Sequence, residues 1–260
     1  MAGFSIAGYH GKILNIDLTS GETGVTALDP ELVLDYLGGR GLATRIFYDR
    51  IEPTSAALEP GNVIVIAASP LIGSDAPTAA RGHMVFKSPL TGVIGTSNSG
   101  GSWVAGLKGA GYDALVIRGA AREPVYVDVQ SDRIEILSAK HLWGKNIHET
   151  TAALSAGGEP GNPWRVLCIG PAGENRVRFA AIANDYNRVY GRCGPGAVWG
   201  SKNLKAIRIR GKAKAGNADK SQYQSGRDQA FYLLKQAPVT KRLLREFGTA
   251  GLIELIDLIN

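Results

Sequence analysis

The sequence predicts an α+β fold: a β-rich first domain of two similar halves with mainly antiparallel sheets, followed by the beginning of an all-helical domain. Three observations carry this expectation. One pattern is written twice. Residues 98–119 and 191–211 each hold a glycine-rich turn, a small-residue segment and an apolar run closing on Arg-Gly, at Ala114–Gly119 and Ala206–Gly211. The apolar runs between residues 12 and 210 are short and bounded by turn residues, which favours strands paired antiparallel through tight turns over a doubly wound parallel sheet. Beyond residue 221 the apolar period becomes helical, at Phe231–Lys235, Leu243–Phe247 and 252–259.

The elements follow in order. Lys12–Leu18 alternates apolar and polar residues, meets a Thr-Ser-Gly-Glu turn, and restarts as a strand at Val25, the signature of paired strands. Asp29-Pro30 is an N-cap followed by proline at the first helical position, so a helix is expected over 30–37, with a second over 41–50. Val63–Ala68 is wholly apolar, a buried strand that stops at Ser69-Pro70. Strands are expected around His83–Phe86, Val93–Thr96, Leu115–Ile117, Val125–Val129, Ile134–Ile136, Val166–Ile169, Arg178–Ile182 and Ala206–Ile209, with a short amphipathic helix over Asn146–Leu154. Three segments result: 1–211 as the first domain, 212–220 as a polar linker, and 221–260 as the start of the helical domain. The strongly apolar, uncapped stretch 252–259 suggests the front part of a larger protein, or an end covered by a partner.

Composition narrows the function classes. The chain has 260 residues, 44% of them hydrophobic, enough for a substantial core. Its 34 glycines exceed the usual share of about 7% and cluster at 38–41, 92–119 and 157–200, where they mark special backbone conformations. No stretch approaches the roughly 20 apolar residues needed to span a bilayer. Met1–Gly8 lacks the charged and apolar regions of a secretory signal, so a cytoplasmic protein without membrane insertion is expected. The net charge of +6 comes from scattered residues rather than a stripe, which argues against nucleic acid. Cys168 and Cys193 are the two cysteines. Cys168 reads as a small buried hydrophobe, a disulfide is not expected in a reducing compartment, and two thiols are too few for an iron–sulfur cluster.

Candidate chemistry is sparse. There is no Gly-x-Ser-x-Gly elbow and no phosphate loop ending in Gly-Lys-Ser/Thr, and Gly194–Gly200 spaces its glycines wrongly for a dinucleotide fingerprint. His10, His83, His141 and His148 show no metal-ligand spacing; each reads as structural or surface. Glu174 and Asp185 read as turn or cap residues. The arginines stand out. Arg81 lies in a loop of small residues, and Arg188 and Arg192 bracket the second glycine turn. Arginine beside a glycine turn suits phosphate, through paired N–H donors and close backbone approach. Two such turns would suit a ligand with two anionic halves; glycines needed only for packing are the other reading.

Arg40-Gly-Leu-Ala, Ser69-Pro-Leu-Ile-Gly, Ala76-Pro-Thr, Lys87-Ser-Pro-Leu-Thr-Gly, Ser97-Asn-Ser-Gly-Gly, Ala110-Gly-Tyr-Asp-Ala, His141-Leu-Trp-Gly, Ile169-Gly-Pro-Ala-Gly-Glu-Asn, Ala183-Asn-Asp and Gly196-Ala-Val-Trp-Gly-Ser-Lys-Asn-Leu-Lys-Ala-Ile occur in this order. Together they resemble the N-terminal domain of the aldehyde ferredoxin oxidoreductase family. The resemblance covers residues 8–211 and continues at Phe247–Leu252. It implies a base of two halves carrying a tungsten (or molybdenum) bis-pyranopterin cofactor. Arg81, Asn98, Gly100, Arg188, Val189 and Gly191 are similar to the family's pterin-contacting residues, and Arg192 is added from its chemistry. By the same resemblance Asn98 and Val189 offer backbone carbonyls to a magnesium ion shared by the two pterin phosphates; magnesium prefers oxygen ligands. Pro195 departs from the family's wording and removes one N–H from the turn.

The resemblance implies oxidation of aldehydes to carboxylic acids, with electrons passed through a [4Fe-4S] cluster to ferredoxin or another iron–sulfur electron-transfer subunit. The cluster is expected on further domains or a partner, no catalytic residue is assigned to these 260 positions, and this chain by itself is expected to be inactive. A homo- or hetero-oligomer is compatible with it. The alternatives are a tungsten subunit reducing an aromatic coenzyme A thioester, and a non-catalytic truncated or assembly module.

Overall fold

The computed structural model describes residues 6–131 and 133–257. The expected leader-free start lies largely outside them, as does the end of the apolar stretch 252–259. Two units are distinguished: one of residues up to Ser74 and Ala79–Gly216, the other of Asp75–Thr78 and the residues from Asn217 on.

The first unit holds two six-stranded sheets. The first contains β1 (Lys12–Asp17), β2 (Thr23–Ala27), β3 (Ile64–Ala67), β4 (Gly82–Lys87), β5 (Ile94–Ser99) and β6 (Ala114–Arg118). The second contains β7 (Val125–Gln130), β8 (Arg133–Ser138), β9 (Arg165–Cys168), β10 (Ile182–Asn184), β11 (Arg188–Tyr190) and β12 (Leu204–Arg210). The strand orders are β2-β1-β6-β3-β4-β5 and β11-β10-β9-β12-β7-β8. Read from opposite ends, they are one topology used twice. Each half has a hairpin, a helical crossover, three antiparallel strands, and a short helix leading to a strand parallel to the hairpin's first. The parallel pairs are β1–β6 and β7–β12; all other pairings are antiparallel.

The local sequence explains the helices. In α1 (Pro30–Tyr36) the Asp29 carboxylate accepts from Glu31 N at 2.9 Å, satisfying a free N–H of the first turn. α2 (Gly39–Arg50) follows. α3 (Trp103–Gly109) and α6 (Pro195–Ser201) are the short helices before β6 and β12. α4 (Ile147–Ser155) opens with a reciprocal capping box between Asn146 and Glu149. α5 (Pro171–Glu174) is a single turn.

Alternation along the strands sorts the cores. Leu14, Ile16, Ile64, Ile66, Leu115 and Ile117 of the first sheet join Val127, Leu167, Ile207 and Ile209 of the second in one core, together with Trp103 and Trp199. The intervening positions Ile13, Val65, Ala67, Val85 and Val116 face α1 and α2. Cys168, Val166 and Ala206 pack with Leu154 of α4. Cys168 is therefore the buried hydrophobe expected, and burial pushes its thiol pKa up.

One expected strand is displaced. Residues 178–179 are a turn, 180–181 are irregular, and the strand there is Ile182–Asn184. Arg176 in the left-handed region (φ 56°) and the Ala180 N–Val177 O bond turn the chain first. Arg188 lies on a strand rather than in a loop.

In the second unit, α7 (Lys220–Gln236) is capped by Asp219, which accepts from Gln222 N at 2.8 Å. Asp75 accepts from Tyr223 Oη at 2.8 Å and pairs with Arg227. Short helical turns run on to Asp257. Among the described residues no helix is long and apolar enough to cross a membrane.

Candidate functional site

The duplication is in register to the residue. Ala67 of β3 and Cys168 of β9 oppose Ala114 and Ala206 on one side. On the other side they oppose His83 and Ala183. One strand further, His83 opposes Asn98 and Ala183 opposes Val189. Asn98 and Val189 thus hold equivalent places on β5 and β11, the outermost strands of their sheets.

These two edges meet. Arg192 N donates to Ser97 Oγ at 3.1 Å, Ser88 Oγ donates to Cys193 O at 2.8 Å, and Asn184 Nδ2 donates to Gly100 O at 2.7 Å. Asp185 accepts from Ser102 Oγ at 2.7 Å while its other oxygen takes Val166 N. Asp185 therefore ties the start of α3 to the second sheet. Glu174, its side chain 6% exposed, pairs with Lys205 and accepts from Gly144 N at 2.9 Å. Both carboxylates serve the fold. Sequence reasoning does not single out the stitching serines and Asn184 as site residues; the signals present are the polar run Ser97–Ser99 within a strand and the place of Ser88, Ser97 and Asn184 inside motifs of the resemblance.

Asn98, Arg81, Arg188, Val189, Gly191 and Arg192 are all exposed along this seam, and Gly100 is half-buried. Arg81 Nη1 donates to Asn98 Oδ1, which brings two of the sequence-derived residues together. Among the described residues none of Arg40, Arg81, Arg188 and Arg192 pairs with a carboxylate. Burial lowers the His83 pKa, and the neighbouring Arg40 and Arg81 guanidiniums lower it further. The seam therefore gathers arginines that, among the described residues, have no carboxylate partner.

The glycines test whether a group from outside the chain fits here. A Cβ on Gly100 would meet nothing within 4 Å, and one on Gly191 only Val189 Cγ2 at 3.5 Å. Neither has a positive φ. The chain itself demands glycine at neither place. Gly101 differs: its φ is +104° and a Cβ would lie 2.9 Å from Asn184 Nδ2. Side-chain-free backbone on an open, cationic edge is the arrangement in which phosphate approaches closely. A groove of about 760 Å³ along β1 and β2, lined by Asp17, Thr23, Arg50 and Arg118 among others, includes none of these residues.

The family model described as aldehyde ferredoxin oxidoreductase, N-terminal domain, matches residues 13–211. The tungsten-containing aldehyde ferredoxin oxidoreductase of Pyrococcus furiosus is 44% identical over 251 residues, covering 96% of this chain and 41% of that protein. The enzyme of the same name from Thermococcus kodakarensis is 43% identical over the same shares. Among solved structures, the active site complex BamBC of benzoyl coenzyme A reductase with 1,5-dienoyl-CoA aligns with a TM-score of 0.83 at 34% identity, covering 88% of this chain and 35% of that one. This chain thus spans about two-fifths of the length of the curated relatives it matches. With the family model covering most of its length, the chain belongs to the aldehyde ferredoxin oxidoreductase family, as its N-terminal domain.

Proposed function

We propose that the β5–β11 seam seats a tungsten (or molybdenum) bis-pyranopterin cofactor, one phosphate-bearing half against each half of the fold. The observation that carries this reading is the equivalence of Asn98 and Val189, each followed by an open glycine, Gly100 and Gly191. Arg81 would serve the first half, and Arg188 and Arg192 the second. The backbone carbonyls of Asn98 and Val189 would hold magnesium between the phosphates, a hard cation on oxygen ligands. The bound cofactor would supply the redox chemistry, while this chain supplies position and positive field.

The overall reaction we assign is aldehyde plus water to carboxylic acid, releasing two protons and two electrons. Ferredoxin or another iron–sulfur subunit takes the electrons. The [4Fe-4S] cluster would belong to further domains or a partner, because two cysteines, one of them buried, cannot hold it. By itself this chain would bind without turning over, as a soluble cytoplasmic component. Reduction of an aromatic acyl-CoA is the second reading, favoured by the likeness to the benzoyl coenzyme A reductase complex.

Elemental analysis of the purified protein tests the seat: tungsten or molybdenum with organic phosphate is expected, and neither metal nor phosphate refutes it. Arg81→Ala and Arg188→Ala should each lower retained organic phosphate; unchanged retention in both removes them from the site. With the loaded chain joined to the further domains or partner that hold the cluster, reduction of a viologen dye by aldehydes rather than by a cyclic dienoyl-CoA selects the first reaction over the second.

A further inference from the structure

We propose that Arg40 is a further anion-binding residue, holding the same phosphate that Arg81 addresses in the first half of the seam. The inference rests on the anion-binding reading above and adds a residue to it. Three contacts place Arg40. Gly39 N donates to Ala68 O at 2.9 Å, pinning the start of α2 to the end of β3. The Gly39 backbone lies against the His83 ring; a Cβ there would stand 3.1 Å from His83 Cδ2. His83 in turn opposes Asn98 across β4–β5, and directly opposed residues of an antiparallel pair share a face. The order across the surface is therefore Arg40, His83, then Asn98 with Arg81 bonded to it.

The electrostatics add to the placement. Burial lowers the His83 pKa and both guanidiniums lower it further, so two cations converge on one imidazole. Among the described residues neither cation has a carboxylate partner. Two uncompensated guanidiniums on one face match a phosphomonoester dianion, one fork to each side. The second half lacks the counterpart. Before β9 its crossover opens on Asn146, closed by its own capping box with Glu149, and at the position matching Arg40 it has His148, whose ring lies 5.7 Å from that of Tyr186, instead of an arginine. The two halves, alike in register, would thus grip unequally at this point.

The test is calorimetric titration of the full chain with inorganic pyrophosphate at low ionic strength, where exposed charges are least screened. The variants are Arg40→Gln, Arg81→Gln and Arg122→Gln, the last removing an exposed arginine outside the seam. Arg40→Gln and Arg81→Gln should each weaken binding by about fivefold, as for one exposed ion pair, and Arg122→Gln should not. Arg40→Lys should fall between wild type and Arg40→Gln, which separates charge from the paired-donor geometry and covers the case in which the glutamine variant loses its fold. Arg40→Gln behaving as Arg122→Gln, with Arg81→Gln still weak, overturns the role of Arg40 and leaves the seam as the site. All three behaving alike overturns the seam itself.

Discussion

Gly100 and Gly101 are neighbours with opposite reasons to be glycine, and replacing each with alanine separates ligand from fold. In Gly101→Ala the backbone sits at φ +104° and the new methyl meets Asn184 Nδ2 at 2.9 Å. A strained backbone of this kind costs of order 1–3 kcal/mol. Displacing Asn184 also threatens its 2.7 Å bond to Gly100 O, about 1 kcal/mol more. A total of about 2–4 kcal/mol corresponds to a Tm fall of roughly 4–16 °C for a domain near this size. Gly100→Ala meets nothing within 4 Å and needs no positive φ. Its folded state is unstrained and its unfolded state less free, so stability should hold or rise by up to about 1 kcal/mol. The methyl nevertheless occupies the side from which a phosphate would approach. Differential scanning fluorimetry and organic phosphate analysis on both variants give the answer. Gly100→Ala should keep its Tm and lose phosphate. A Tm loss matching that of Gly101→Ala, or full phosphate retention, refutes the cradle argument.

Two further predictions concern buried charge. Lys202 is fully buried with Nζ on Pro60 O (3.0 Å) and Gly119 O (2.9 Å), and burial lowers its pKa from 10.5 to about 8. Between these values the unfolded chain keeps a proton the folded chain has shed. Stability should therefore rise with pH across that window, by about 3 kcal/mol in full. In Lys202→Met this rise should vanish; a wild-type-minus-variant difference that stays constant from pH 7 to 10 in denaturant melts contradicts it. Asp113 accepts from Gly11 N at 2.7 Å and pairs with buried Lys108 at 2.6 Å. Asp113→Asn leaves that ammonium unpaired and should cost about 3–5 kcal/mol, whereas a loss under about 1 kcal/mol by urea denaturation would show the pair to be dispensable.

Much of this architecture is local information. The repeated Ala114–Gly119 and Ala206–Gly211 runs become β6 and β12, occupying the same slot in their sheets. Asn146 and Glu149 form the cap that their spacing allows. What local reading misses is short or distant. β11 has three residues, one an arginine, and no periodicity can be seen over that length. The expected strand at Arg178 failed because a left-handed residue, Arg176, intervenes without a glycine to announce it. The seam itself depends on bonds such as Ser88 to Cys193, separated by 105 positions, and Arg40 reaches it only through His83.

The clamp on the first cradle also sets a timetable. Gly100 O and Ser102 are held by Asn184 and Asp185, the first of these contacts closing across 84 positions. At ribosomal rates of about 5–20 residues per second, the clamp emerges roughly 4–17 s after the loop it steadies. During that interval the nascent first half carries its arginines without a formed grip. On the proposed function, loading would wait on synthesis of the second half, which supplies the residues that complete the first cradle.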